Sequence, residues 1–571
     1  MKLSVAILIA ICGLHGALAG EGDPLPVGAT APQEFVDRFH AAKFGVFVQW
    51  GLATQAGGEW AMSATPISAG EYRGLLQKFN PEKFDAAQWA RQFKDAGAKY
   101  VVLTAKGFDG FCLFDSKLTD FDVMGTPFGR DVLKEVTNAC RAAGLPIFYY
   151  YSLADWNHAE YWPWGWTGTR IPGRPRGGDN AEYIAYYQGQ LCELCTNYGS
   201  IDGIILDGEW DRGQGFYDLE RTYAIIHKLQ PQALVANSHG RRPMAGEDYQ
   251  MLDIAAQANI RMPFVPFAVN MEIEPAGKKR IRNANEMLSA LISTAGRGGN
   301  LHAVIRPGAD GAIPPQQAEV LGKMGEWLGQ HGKALFNTRP GPWVGRDWGA
   351  CTWSLNRIYI HLLQRPGREM LLSEPPGVVQ KAMTFDGVDV EFEAAGNDAA
   401  GGELMLTLPD WDNQKVVDRI IELRFDGKLE QAWITPAVRP GAAGVLSLSA
   451  ESAQLYGGSF AFVPGLMWND PNDRAVWTVK VPRTGRYHAV VTYSCPAPTA
   501  GCQFTVGVDG SRLIGRIEPT GASWQEQDTI ELPGTIELPA GRATVTLTAT
   551  GEPKWFFMQL FRIDLRPAEV P

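Results

Sequence analysis

Between Phe44 and Pro307 the chain repeats one pattern: a short apolar run without alternation, then a longer stretch with apolar residues at helical spacing. Eight runs read as strands: Phe44–Trp50, Tyr100–Lys106, Pro146–Ser152, Asp202–Gly208, Ala233–Ser238, Tyr249–Ile254, Pro266–Glu272 and Asn300–Pro307. Phe84, Trp89, Phe93 and Ala96 mark one helix. Asp131–Ala143, Ala181–Tyr198, Tyr217–Leu229, Asn283–Ala295 and Pro315–Gly329 read as others. Strands apolar on both faces belong to a parallel sheet covered on its outside. The repeat therefore predicts an α/β fold, a (β/α)8 barrel. An open doubly wound sheet is the alternative, but no GxGxxG follows an early strand.

After Pro340 helical spacing disappears. Trp353–Leu363, Val388–Phe392, Leu404–Leu408 and Ile420–Phe425 are strand-like runs among Gly and Pro. Ala461–Phe462, Val476–Val481, Tyr487–Tyr493, Gln503–Val508, Thr544–Ala549 and Trp555–Leu565 continue the texture. Two β-sandwiches are expected after the barrel. The expected division is a leader over 1–19, a barrel over 20–341, and sandwiches over 342–450 and 451–571. The leader has Lys2, an apolar run from Leu3 to Leu14, and Ala17-Leu18-Ala19 before Gly20, the form of a secretory signal peptide cut near Ala19. The expected location is secreted or periplasmic. No run is long enough to span a membrane.

The net charge of −10 argues against a nucleic-acid partner, which needs a basic face. Aromatic residues are abundant, with 18 Trp among 571 residues, and serve either a large core or sugar stacking. Export permits disulfides, and Cys495 and Cys502 flank a turn-rich loop, so they are the expected pair. Cys192 and Cys195 sit in a predicted helix with no second CxxC and no paired histidines, so buried thiols are expected rather than zinc.

Barrel enzymes work at the C-terminal ends of their strands. Those ends carry Gln49 and Trp50, Lys106 with Asp109, Tyr151 with Asp155 and Trp156, Asp207 with Glu209, Asn237 with His239, Glu272 with Glu274, and Arg306. Serine-triad signatures are absent and histidines are few. Two carboxylates flanking a bond are the machinery of glycoside hydrolysis. Aromatic faces beside them hold sugar rings.

Several segments resemble glycoside hydrolase family 29, the α-L-fucosidases. Phe44-Gly-Val-Phe-Val-Gln-Trp-Gly51 is similar to FGIFIHWG, Gly58-Glu59-Trp60 to PEW, and Phe79-Asn-Pro-Glu-Lys-Phe-Asp85 to FNPxKFD. Tyr150-Tyr-Ser-Leu-Ala-Asp-Trp156 resembles YYSxxDW, and Asn197-Tyr-Gly199 with Ile201–Gly208 resembles NYGxIDGxWFDG. Gly298-Gly-Asn300 and Gly308–Pro314 resemble GGN and GPxADGxIP. The resemblance runs in order over about residues 33 to 345. It implies a retaining exo-glycosidase that needs no metal or cofactor and acts on an oligosaccharide or polysaccharide. It places the nucleophile at Asp207 and pocket contacts at Glu59, Trp60, Tyr151 and Trp156.

Departures from the family pattern fall in the pocket. Gln49 stands where the family has a sugar-binding histidine, Gly107-Phe108 where it has two, and Ile205 where it has an aromatic. Hydroxyl recognition depends on donors and acceptors in fixed places. A changed sugar, related to fucose as an L-sugar or 6-deoxy sugar, is one consequence. A catalytically silent glycan binder is the other. The usual acid/base position holds Phe267-Ala268, so Glu272 is the expected acid, with Glu274 and Glu247 as further candidates. Trp162, Trp164 and Trp166 are expected to form a sugar-stacking rim or to pack on the next domain, and His239 to bond a loop. Arg170, Arg174 and Arg176 are expected in a solvated loop, able to meet an acidic glycan. Residues 473–493 loosely resemble galactose-binding-like carbohydrate modules.

Overall fold

The computed structural model describes residues 25–568, apart from 66, 163–164, 175–176, 213, 240–243, 253–265, 276–279, 344–346, 374, 396–401, 411–416, 430–436, 457–460, 463–464, 509 and 555. The leader lies outside the described residues.

Eight parallel strands form the first sheet: β1 (Phe44–Val48), β2 (Tyr100–Lys106), β3 (Ile147–Ser152), β4 (Gly203–Asp207), β5 (Leu234–Asn237), β6 (Gln250–Leu252), β7 (Phe267–Glu272) and β8 (Gly299–Ile305). Their order, β5-β4-β3-β2-β1-β8-β7-β6, wraps into a (β/α)8 barrel. Asp248 bridges the seam between β5 and β6. Its backbone N–H donates to the Val235 carbonyl at 2.7 Å, and its carboxylate accepts from the Val235 N–H at 2.7 Å.

Strand parity divides the side chains. Phe44, Val46 and Val48 pack with the helix residues Trp89 and Phe93. Phe47, Val102, Phe148, Tyr150 and Ile205 fill the barrel axis. Helix α1 (Gln33–Ala42) closes the lower end, where Phe39 packs against Tyr100, Phe148 and Tyr249. Two glycines admit large rings on the neighbouring strand. A Cβ at Gly45 would lie 2.5 Å from Tyr100, and one at Gly203 would lie 2.4 Å from Phe148.

The outer helices start where polar caps take orphan N–H groups. Asp85 caps α2 (Ala86–Asp95), and Asp131 caps α3 (Val132–Ala143), which ends at left-handed Gly144. Helices α4 (Asn180–Asn197) and α5 (Leu219–Leu229) follow. Asn283 and Glu286 form a capping box on α6 (Ala284–Ala295), and α7 (Pro315–His331) completes the layer.

Beyond the barrel, a five-stranded and a three-stranded antiparallel sheet share a core that includes Trp343, Ile358, Leu372 and Leu404. The run from Trp353 to Leu363 is not a single strand. It belongs to a hairpin, Gly349–Ser354 and Arg357–Leu362, turning at Leu355 in a left-handed conformation. A final pair of sheets encloses Trp468, Trp477 and Leu565. Leu446–Ser449, expected in the first sandwich, pairs with Gln559–Pro567 in this last unit.

The expected Cys495–Cys502 bridge is absent. Both thiols are free, and the Cys495 sulfur lies 3.2 Å from Thr499 Oγ1. Cys192 and Cys195 are both buried on α4 and form no disulfide. Among the described residues no helix is long and apolar enough to cross a membrane.

Candidate active site

Asp207 ends β4 and shares the parity of the axis-facing Ile205. Three donors hold its carboxylate. Oδ1 accepts from the Gly208 N–H at 2.7 Å and from Trp210 Nε1–H at 2.9 Å, and Oδ2 accepts from the Tyr150 hydroxyl at 2.8 Å. Hydrogen bonds to the charged form favour an ionised carboxylate. Gly208 adopts φ 94°, the left-handed conformation that swings Trp210 back over the strand end.

Tyr150, not Tyr151, is the tyrosine of this site. Tyr151 points the other way, into the layer beneath α4, where its hydroxyl donates to Gln190 Oε1 at 2.7 Å. The two residues pair in register with Ile205 and Leu206, so strand alternation sends them to opposite faces.

A second carboxyl group approaches from the loop after β1. Glu59 accepts from Gln49 Nε2–H at 2.5 Å. Enclosure by protein atoms, and then the charge of Asp207, push its pKa up to about 8, with Asp109 and Glu272 acting in the same direction and Arg306 opposing. At that pKa Glu59 holds its proton at neutral pH. Burial, and then the charges of Asp207 and Glu59, hold the Tyr150 hydroxyl well above its usual pKa.

Glu272 stands at the end of β7 as expected, but in an ion pair. Arg306 Nη2 donates to Glu272 Oε1 at 2.5 Å and to Gln49 Oε1 at 2.7 Å, while Nη1 donates to the Glu274 carbonyl at 2.7 Å. Gln49 thus links Arg306 to Glu59. The other two acid candidates face elsewhere. Glu274 Oε2 accepts from Gln317, and Glu247 is buried against Tyr223 and His239.

A pocket opens beside these residues, lined by Gln49, Trp50, Glu59, Phe108, Asp109 and Arg306. Its aromatic wall is layered. Trp60, 39% exposed, lies over Phe108 at 5.3 Å and near Trp210 at 6.2 Å between ring centroids. Trp156 is fully buried behind them, stacked on Phe108 at 5.5 Å, so it supports the wall and does not face a ligand. Asp109 accepts from the Tyr72 hydroxyl at 2.6 Å, and burial raises its pKa to about 6.

A buried ion pair underlies the wall. Lys106 Nζ lies 3.2 Å from Asp155, with the Tyr151 ring 4.5 Å from the ammonium. Asp155 also accepts from the backbone N–H groups of Asn157 and His158. Arg174 is not in solvent as expected: it is buried and donates to the Gly168 and Asp155 carbonyls. Arg176 and Trp164 lie outside the described residues. Tyr150 and Trp210 escaped sequence reasoning, although a tryptophan three residues past Asp207 was the available signal. Among the described residues no group of three or more His, Cys, Asp or Glu is placed to hold a metal.

Fold and mouth together fit the glycoside hydrolases, whose chemistry uses one ionised and one protonated carboxyl group beside a sugar. A family model described as Alpha-L-fucosidase matches residues 28–333, and the chain belongs to that family. Arabidopsis thaliana α-L-fucosidase 1 is 30% identical over 210 residues, 36% of each chain. The chain spans about two fifths of the length of the plant relatives it matches. Among solved structures, α-L-fucosidase isoenzyme 1 of Paenibacillus thiaminolyticus is 28% identical, with TM-score 0.60 over 69% of this chain and 99% of that one. The α-L-fucosidase of Vibrio sp. strain EJY3, 21% identical, shares the fold with TM-score 0.63 over 95% of this chain and 99% of that one.

Proposed function

We propose that the protein is an exported, retaining exo-glycosidase that removes terminal α-L-fucosyl or related 6-deoxy or L-sugar residues from glycans. The observation that carries this reading is the Asp207 carboxylate held at the end of β4 by Tyr150, Gly208 and Trp210, with Glu59 near enough for the Asp207 charge to help raise its pKa to about 8. Asp207 attacks the anomeric carbon as the bond to the leaving oxygen breaks. Glu59 gives its proton to that oxygen, and the leaving sugar departs as an alcohol. Glu59, now a carboxylate, takes a proton from water as the water oxygen attacks the glycosyl–Asp207 ester. Hydrolysis restores both carboxyl groups and net configuration. Glu272, the expected acid, is assigned instead as the counter-ion that holds Arg306 and, through it, Gln49. Gln49 in turn orients Glu59, and Trp60 over Phe108 offers the sugar an apolar wall.

The test is a panel of aryl L- and D-glycosides, with Asp207→Ala beside the parent. Turnover by the parent that vanishes in Asp207→Ala supports the reading. A parent that turns over nothing sinks it. One observation favours a second reading, a silent glycan binder: apolar Phe108 stands where the family pattern has histidine. In that case the same sugars bind without being cleaved. The leader supports export, and N-terminal sequencing of the mature protein should begin near Gly20.

A further inference from the structure

Trp166 is the most exposed large apolar side chain among the described residues, at 86%. Its loop is firmly held. The buried carboxylate of Asp211 accepts from the Tyr161 hydroxyl at 2.6 Å, the Thr167 N–H at 2.7 Å and the Thr167 hydroxyl at 2.8 Å. The Trp166 N–H donates to the Asp211 carbonyl at 3.2 Å. Trp156 Nε1–H donates to Thr167 Oγ1 at 2.9 Å, and Arg174 to the Gly168 carbonyl at 3.0 Å. A Cβ at Gly165 would lie 2.0 Å from Asp211, so the loop lies against the Glu209–Asp211 turn. That turn directly follows Asp207. The 86% exposed indole is thus displayed in water on a backbone clamped to the turn that follows Asp207.

We infer that Trp166 is a stacking platform for the pyranose on the leaving side of the scissile bond. The inference rests on the exo-glycosidase reading above. An exo-acting site encloses only the terminal sugar, here against Trp60 and Phe108, and the rest of the glycan projects outward from the mouth. An indole face attracts the polarised C–H bonds of a sugar ring. The ligand class is a hexopyranose with a continuous C–H face, such as galactose or N-acetylglucosamine.

The experiment compares the full-length parent, Trp166→Ala and Trp166→Phe on two substrates. One is α-L-fucosyl fluoride, which has no sugar on its leaving side. The other is a fucosyl-galactose disaccharide. The ratio of kcat/KM for disaccharide over fluoride should fall roughly tenfold in Trp166→Ala, through KM, and recover partly in Trp166→Phe. An unchanged ratio overturns the inference. If the parent cleaves neither substrate, the exo-glycosidase reading fails instead. The platform is then read from titration of the disaccharide by calorimetry: weaker binding to Trp166→Ala supports it, and equal binding overturns it.

Discussion

Replacing Glu59 by Gln tests which carboxyl group supplies the proton. At a pKa of about 8, roughly 90% of Glu59 is protonated at pH 7, against about 0.3% for an unshifted glutamate. The site therefore raises the supply of acid by about 300-fold. A positioned general acid contributes about 10²–10⁴ in rate, or about 2.7–5.5 kcal/mol of barrier. Glu59→Gln should lose that factor on a glycan, whose leaving alkoxide needs a proton, and far less on fucosyl fluoride. The sign of the pH effect follows from the proton. kcat/KM for a glycan should be flat below about pH 8 on this limb and fall above it, as Glu59 ionises. The alkaline limb should vanish in Glu59→Gln. Stability moves in the same direction: a carboxyl with a raised folded pKa stabilises fully below its unfolded value of 4.5, and the contribution is lost as pH rises through about 8. Glu59→Gln should thus be less sensitive to alkaline denaturation than the parent. Steady-state kinetics on both substrates from pH 4 to 10 reads the outcome. A Glu59→Gln enzyme that retains glycan hydrolysis, beside a Glu272→Gln enzyme that loses it, refutes the assignment.

Removing the Tyr150 hydroxyl, as in Tyr150→Phe, takes a charge-assisted hydrogen bond from Asp207, worth about 1.5–3 kcal/mol, so kcat/KM should fall about 10–150-fold. The acid limb of the pH profile should move to higher pH, because the carboxylate loses a donor; Tyr151→Phe should leave that limb in place. Lys106→Met strands Asp155 in the interior and should cost about 3–5 kcal/mol of stability in denaturant unfolding, much of it recovered in Lys106→Met/Asp155→Leu.

The barrel was legible because its strands are buried on both faces and its helices on one, so the two periods differ along the chain. Strand facing was not legible at β3. Phe148, Tyr149, Tyr150 and Tyr151 are all aromatic, and no polar residue marks which parity meets the axis. The resemblance therefore led to Tyr151, one residue from the hydroxyl that bonds Asp207. Exposed edge strands such as Ser511–Arg516 and Gln527–Glu531 were missed for a related reason: few of their side chains enter a core. Arg174 reads as solvated from its Gly, Pro and Arg neighbours, yet it is buried and donates to the carbonyls of Gly168 and Asp155. The protonated state of Glu59 is likewise a property of the assembled site, because the nearby Asp207 lies far away in sequence.

The charge balance of the mouth explains how the altered pocket can remain competent. Four carboxyl groups, Glu59, Asp109, Asp207 and Glu272, act within one another's fields, and Arg306 is the cation that opposes them at Glu59. Four clustered negative charges, each at least partly screened from water, against one positive would be costly. Two groups yield by taking up protons more readily, Glu59 to about 8 and Asp109 to about 6. Glu272 is matched by Arg306, and the Asp207 carboxylate accepts from the Gly208 N–H, the Trp210 indole and the Tyr150 hydroxyl. Gln49 is central to the division. Its carboxamide accepts from Arg306 and donates to Glu59, so it binds the cation to Glu272 and presents Glu59 as an acid. Gln49→Leu should break both contacts at once. The expected result is a fall in glycan hydrolysis on the order of tenfold or more, with an alkaline limb displaced from that of the parent. An unaltered limb would show that Glu59 titrates independently of Gln49.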